Sequence, residues 1–521
     1  MKICTILLLA IATLTAQETR GIIFGRAIDA QNAVVAGAAI TVTNVETNVT
    51  TRLRTNETGY YEANLLQAGN YQITAEMAGF KKTVRLGIAL LISSRVEIDL
   101  MLSIGDAAET VSVTSEVPLL ETASVSAGRI MDNRNVLDLP TFNNSPLMLI
   151  KLVPGIQASA NRRYNGVNAI GGTGEAHNAG NVGGNDWSID GVPNMGNGYG
   201  AAYLPYSTTI QEFKVEATSF DASIGHTSGT TISVMTKGGT NSLHGALTEQ
   251  HWQQRWNGTR FFVKQQYYRN IAAAEAAGDK AKANELRNSP LQPSGHSNNY
   301  AGTLGGPIVI PKVVNGRNKL FFFFSYDGFE DKKSTESTFN HTVPNAAQRL
   351  GNFSDLLAIG PRYQIYDPLS VRADPARPGH FLRDPIAGNI LPQSRIVSPA
   401  NATYSKFFPA PNNPPARTTL EPLNNYLGVA EPYNWSYSAF ANRFDYQQSQ
   451  KHRFFGRWSW LKYREDRQDW TYETARGLQT NGVNRNNAGI TANWVYTPAA
   501  TTVFDINGAA NHFRAGPHQT A

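Results

Sequence analysis

Between Lys451 and Lys462 the chain alternates: His452, Phe454, Trp458 and Trp460 fall on one side of an extended backbone, and Arg453, Arg457 and Ser459 on the other. Successive side chains of a strand point to opposite faces, so this stretch reads as a strand with an aromatic face and a cationic one. The same pattern sets Ile490, Ala492, Trp494 and Tyr496 against Thr491 and Asn493, and Phe440, Phe444 and Tyr446 against Arg443 and Asp445. Seven of the eight Trp and 18 of the 23 Phe lie after residue 241, so these ring-bearing strands are a property of the C-terminal half. In a lipid-facing wall an Arg at the bilayer midplane would cost about 2–4 kcal/mol, so the Arg face has to look into a lumen.

At about 150 residues per domain, 521 residues provide for several domains. Charged residues are only 17% and the net charge of +6 is spread along the chain, so the basic balance does not argue for nucleic acid. Met1-Lys2, the apolar run Ile3 to Leu14 and Ala16-Gln17-Glu18 have the layout of a secretory signal peptide, here residues 1–16, with cleavage after Ala12 or Ala16. That run falls short of the ~20 residues a membrane helix needs. The single Cys4 lies inside this segment, which excludes a disulfide framework and a Cys-based metal site. No later apolar run approaches membrane-helix length, which leaves an exported soluble protein or a transmembrane β-barrel.

Residues 21–103 read as a small all-β module. Ile40 and Val42 alternate with Thr41 and Thr43, Tyr71 and Ile73 with Gln72 and Thr74, and Val96, Ile98 and Leu100 with Glu97 and Asp99. Turn residues such as Asn56-Glu57-Thr58-Gly59 and Ala68-Gly69-Asn70 separate them at the spacing of a β-sandwich. The runs Gly37 to Val42, Thr58-Gly59-Tyr60-Tyr61, Leu66 to Tyr71 and Ala78-Gly79-Phe80-Lys81 resemble the carboxypeptidase regulatory-like domain. That resemblance implies a transthyretin-like (carbohydrate-binding-like) sandwich with an accessory role, and no His-x-x-Glu ligand pair of a protease is present.

Residues 104–114 form a polar linker in which Glu109-Thr110-Val111-Ser112-Val113-Thr114 has β-branched residues at alternate positions. It reads as an extended segment, either an ordinary strand or one that can add to a partner's sheet edge. Between 115 and 240 the chain is rich in Gly and Asn, yet Trp187, Ile189, Val192, Phe213, Val215, Ile232 and Val234 recur too regularly for disorder. A small α/β domain with long loops is expected. After 240 two insertions interrupt the strands: Ala272 to Arg287, expected as a short solvated helix, and residues 344–432, whose 14 of 26 prolines exclude central strands.

Asp138-Leu139-Pro140 with Val153-Pro154-Gly155, Ser188 to Pro193, Ile210 to Val215 and Ile232 to Lys237 occur in the order found in plug domains of TonB-dependent outer-membrane receptors. Gly239 to Gly245, Gly302 to Pro307, Phe321 to Tyr326 and Thr342-Val343-Pro344 resemble the Oar-like branch of that family. The resemblance implies a plug domain over residues 115–240 and part of an antiparallel transmembrane β-barrel over 241–521, in a mainly β protein of the outer membrane. It also implies that Glu109, Thr110, Val111, Ser112, Val113 and Thr114 are the TonB box, the strand captured by the energy-transducing protein TonB. The partners it implies are TonB, outer-membrane lipid and an extracellular ligand, which could be an oligosaccharide, a peptide or a metal chelate. About seven to nine strands can be placed after residue 240, near Leu243, Tyr300, Leu320, Phe440, Phe454, Tyr472, Ile490 and Phe504. The family's barrels have more, so the wall is expected to be incomplete and the chain to be the N-terminal part of a longer protein or a truncated frame.

An enzyme is not expected. Gly-x-Ser-x-Gly, His-Glu-x-x-His and Gly-x-x-x-x-Gly-Lys are all absent, and the ten His are scattered without ligand spacing. No cofactor, metal or nucleic-acid site is read. The alternative function is an exported carbohydrate-binding or adhesion protein that uses the sandwich and loops without transport.

Overall fold

The computed structural model describes residues 19–105, 110–114, 127–139, 146–154, 156–158, 176–177, 185–196, 201–203, 205–218, 229–259, 261–289, 291, 295–333, 338–396, 407–412, 424–429, 433–466, 482–499 and 502–518. The export signal at 1–16, Glu109 and the strand expected near Tyr472 lie outside the described residues.

The first unit pairs two sheets. One holds β1 (Gly21–Asp29) between β4 (Tyr60–Leu66) and the short β7 (Arg95–Glu97) and β8 (Leu100–Leu102). The other has the order β3-β2-β5-β6-β9, built from β2 (Ala39–Asn44), β3 (Thr50–Arg54), β5 (Gly69–Glu76), β6 (Lys82–Leu90) and β9 (Thr110–Thr114). Their inward residues, among them Ile23, Ile40, Val42, Tyr61, Ile73 and Leu90, make one core. The segment from Val96 to Leu100 is two strands rather than one. At Gly25 a Cβ would stand 2.0 Å from the Ile98 carbonyl oxygen, so the backbones touch where only glycine fits, and the Asp99 side chain accepts from Arg26 N–H at 2.8 Å. That side-chain bond replaces a ladder bond and breaks the strand.

The second unit is a five-stranded sheet in the order β10-β13-β14-β11-β12: β10 (Ala127–Met131), β11 (Asp186–Ile189), β12 (Val192–Pro193), β13 (Ile210–Thr218) and β14 (Thr231–Thr236). A short helix, α1 (Asn133–Asp138), is capped by the Asp132 side chain accepting from Asn135 N–H. Ser188 to Pro193 is a hairpin whose two-residue loop, Asp190-Gly191, has φ of 49° and 80°. Positive φ at both positions is the type I′ geometry for which Asp-Gly is suited.

The third unit is a seven-stranded antiparallel meander: β15 (His244–Gln253), β16 (Gly295–Pro307), β19 (Leu320–Lys333), β20 (Tyr433–Gln447), β21 (His452–Asp466), β22 (Gly482–Ala499) and β23 (Thr502–His518). Between β16 and β19 stands a small hairpin, β17 (Val309–Ile310) and β18 (Val314–Asn315). Among the described residues β15 and β23 are not paired to each other, so the wall is open. One end carries the short connection 448–451 and the ends of β22 and β23 at Ala499 and Thr502, and the other carries the insertions. The first insertion is a helical hairpin, α2 (Phe261–Ala276) and α3 (Lys280–Asn288), longer than the single helix expected from Ala272. Its turn contains Gly278 at φ 75°. The Pro-rich insertion folds into short helices and two small ribbons, 338–341 with 426–429 and 372–373 with 381–382.

Candidate functional site

The two faces of the wall differ as the alternation requires. Phe444, Trp458 and Ile490 point outward and are at least half exposed, whereas Arg443, Arg457, Thr491 and Asn493 point inward and are buried. The five-stranded unit buries them. Its Trp187, Phe213 and Ile232 share one core with Trp435, Tyr437, Ala439, Leu461 and Tyr463 of the wall's inner face. Leaving the outward rings in water would forfeit about 1.5–3 kcal/mol each, so that face calls for an apolar cover.

The polar centre of this interface is Asp190 at the tip of the β11–β12 hairpin. Its carboxylate lies 3.5 Å from Arg443 Nη1 and 3.3 Å from Arg457 Nη1, with all three side chains at most 6% exposed. Thr236 N–H donates to the same carboxylate at 2.9 Å, and Arg443 Nη1 donates to the Thr236 carbonyl at 2.8 Å. Arg443 is also held by Asp445 through Nε at 2.8 Å and Nη2 at 3.0 Å, and it stacks 4.7 Å from the Phe455 ring centre. Two cations thus meet two carboxylates in a place water hardly reaches, which is the condition under which a buried ion pair is tolerated.

The sandwich is fastened across the end of the wall that carries the short connection. Arg20 pairs with Asp505 and donates to Asn493 Oδ1 at 3.2 Å, Gln67 donates to Asp445 Oδ1 at 2.7 Å, and Arg453 donates to the Leu65 carbonyl at 3.0 Å. Asn241, in the Gly239 to Gly245 run, donates from its backbone to the Glu46 carbonyl and from its side chain to the Thr47 carbonyl. A small cavity of about 70 Å³ remains where the three units meet, lined by Arg20, Gln67, Asp190, Arg443, Arg453 and Asp505 among others. Against the sandwich also lies Glu212 of β13, 3% exposed. Burial raises its carboxyl to about 8; a backbone N–H from Ile92 opposes the rise and the Asp132 charge adds to it.

Thr110–Thr114 is a strand, as the alternation of β-branched residues predicts, and it is not left hanging. It pairs in parallel with β6 from Lys82↔Thr110 to Leu86↔Thr114, at the edge of the sandwich sheet. Ser112 is exposed. These residues are not brought near Asp190 by any described contact; they belong to the sandwich, while Asp190, Arg443 and Arg457 form the interface between the other two units. The Arg face was readable from period two, but its partner Asp190 was not. The only local signal was the Asp-Gly turn, which fixes where the carboxylate points once the hairpin is formed. Among the described residues no group of three or more His, Cys, Asp or Glu side chains is placed to hold a metal ion.

An antiparallel wall with an apolar outer face, a polar inner face and an appended sandwich is the architecture of an outer-membrane β-barrel protein. The chain belongs to the outer membrane beta barrel domain family, whose sequence profile matches residues 235–521, more than half its length, and residues 22–103 match the carboxypeptidase regulatory-like domain. It is 23% identical over 314 residues to the TonB-dependent transporter Oar of Myxococcus xanthus, a match covering 58% of this chain and 26% of that protein. The chain thus spans about a quarter of the length of that relative. Among solved structures it resembles the outer membrane transporter YddB from Escherichia coli, with a TM-score of 0.42 and 9% identity over 74% of this chain and 39% of that one. A ferric enterobactin receptor (PfeA) mutant from Pseudomonas aeruginosa gives a TM-score of 0.35 and 9% identity over 75% of this chain and 45% of that one.

Proposed function

We propose that the chain acts in TonB-dependent uptake across the outer membrane, with residues 115–240 as the plug of the barrel and Glu109 to Thr114 as the strand that TonB captures. The observation that carries this reading is the covering of the wall's inner face by the five-stranded unit, anchored through Asp190 between Arg443 and Arg457. A wall lined with buried cations needs such a filling, and the filling meets the wall through side chains, an apolar core and the Asp190 ion pairs, so it can be rearranged without unfolding the wall's own backbone ladder. In this orientation the sandwich and the short connection face the periplasm and the long insertions face outward, where they meet an oligosaccharide, peptide or metal chelate. β-Strand addition suits the captured segment, because backbone bonds supply affinity and alternate side chains specificity.

The test replaces Val111 with Pro, which removes a backbone donor from the strand. The purified full chain is expected to bind the C-terminal domain of TonB, and Val111→Pro to lose that binding while still fractionating with outer membranes. Equal binding by the two proteins would refute the assignment of the strand.

A further inference from the structure

At the sandwich end of the wall the outward face is not smooth. The link between β16 and β19 folds back as the β17–β18 hairpin, closed by Gly316 N–H donating to the Ile308 carbonyl at 2.9 Å and Leu320 N–H to the Gly316 carbonyl at 2.7 Å. Under it opens a groove of about 550 Å³, lined by Leu243, Ile308, Val309, Phe322, Phe444 and, at its rim, Arg317. Phe322 and Phe444 are register partners whose sequence neighbours Phe321, Phe323 and Arg443 are buried inward, so the groove opens on the face the membrane covers. Leu243 is 70% exposed and Val313, at the hairpin tip, 75%.

The described charges on the groove and its link are of one sign. Among the described residues Arg317 is the only ionisable one lining it and no carboxylate lines it, and Lys312 and Lys319 stand exposed on the same link. The link is also fixed in height. Asn318 receives a bond from Asn48 of the sandwich at 3.2 Å and another from Asn241 at 2.8 Å, which holds the cations at the rim of the wall beside the sandwich. An apolar slot on a lipid-facing wall, ending in cations at the depth of the headgroups, has the chemistry of an amphiphile with a negative head and hydrocarbon chains.

We propose that this groove binds an anionic phospholipid of the leaflet on the sandwich side, with an acyl chain against Val309, Phe322 and Phe444 and the phosphate on Arg317. Its role would be to wedge the hairpin against the wall and so hold Asn318 where the sandwich docks. The proposal rests on the membrane reading of the wall.

The experiment titrates the delipidated full chain in a neutral detergent with dioleoylphosphatidylglycerol, and separately with dioleoylphosphatidylcholine, counting bound lipid by native mass spectrometry. At least a fivefold preference for phosphatidylglycerol is expected. Arg317→Gln should abolish the preference, Lys332→Gln at the opposite end of the wall should keep it, and Phe444→Ser should weaken both lipids. Glycerol 3-phosphate, which has the head chemistry without chains, should not compete. Equal phosphatidylglycerol binding by the unaltered chain and Arg317→Gln, or full competition by glycerol 3-phosphate, would overturn the site while leaving the membrane reading intact. Absence of the chain from outer-membrane fractions would overturn both.

Discussion

Arg453 of the wall donates to the carbonyl of Leu65 across 3.0 Å, and Leu65 is held at φ 56°. A side chain in the left-handed region costs about 1–2 kcal/mol, so the sandwich presents this carbonyl to the wall by means of a conformation that leucine resists. The bond is one of several that fasten the sandwich, and it separates two effects that mutation can pull apart.

Replacing Arg453 with Ala removes a charge-assisted bond of about 1.5–3 kcal/mol, reduced by its partial exposure. Amide hydrogen exchange in β4 and in the Thr47 to Val49 turn is expected to quicken about tenfold. Leu65→Gly keeps the bond and relieves the backbone, so exchange there should be unchanged or slower. If both variants exchange alike, the contact does not hold the sandwich.

Asp190→Ala leaves two buried guanidiniums without their shared carboxylate. Breaking a buried pair by removing one partner costs about 3–5 kcal/mol, which should appear as a lowered melting temperature and loss of protection across β11 and β14. Adding Arg457→Met to Asp190→Ala should recover part of that loss, because one orphaned charge is gone. A double mutant less stable than the sum of the two single changes would contradict the pairing.

Glu212 predicts a pH dependence with a definite sign. Its folded-state carboxyl titrates at about 8 against an ordinary 4.5, so the folded chain binds more protons than the unfolded one between those values. The stability that comes from keeping it neutral is complete below pH 4.5 and is lost as pH rises toward 8. Glu212→Gln should flatten the melting temperature across that window. A variant whose profile parallels the unaltered chain would show that other groups carry the dependence.

Under the proposed capture of this strand by TonB, the parallel pairing of β9 with β6 predicts that the strand leaves the sandwich before it is bound. Arg85 and Val113 are register partners, and no described residue is a cysteine that could compete with an introduced pair. In Arg85→Cys/Val113→Cys the oxidised chain should fail to bind the TonB C-terminal domain and the reduced chain should bind. Binding in both states would mean that TonB adds to the outer edge of β9, and binding in neither would remove the strand from consideration.

The wall was legible in the sequence because period two writes the two environments of a strand directly into it: Trp458 and Ile490 face out, Arg457 and Thr491 face in. The sandwich core at Ile40, Val42, Tyr71 and Ile73 was legible for the same reason. What was hidden depends on partners far along the chain. Asp190 meets Arg443 and Arg457 only when the hairpin is laid against the wall, and no local pattern records that. The break at Asp99 comes from its side chain accepting from the Arg26 N–H, beside the close approach of Gly25 to Ile98, again distant neighbours. The start of helix α2 at Phe261, ahead of the Ala-rich stretch, was hidden because Phe261, Phe262 and Val263 are strand formers by propensity and Ile271 is the buried residue that ties the helix to its surroundings.

A strand laid along one edge of a sheet, with each of its ends leading to a different part of the chain, responds to the direction of a load. A pull along the axis of β9 shears all five register positions against β6 together, whereas a pull outward from the edge peels them one at a time, beginning at either Thr110 or Thr114. The same set of backbone bonds is therefore stiff in one direction and compliant in the other.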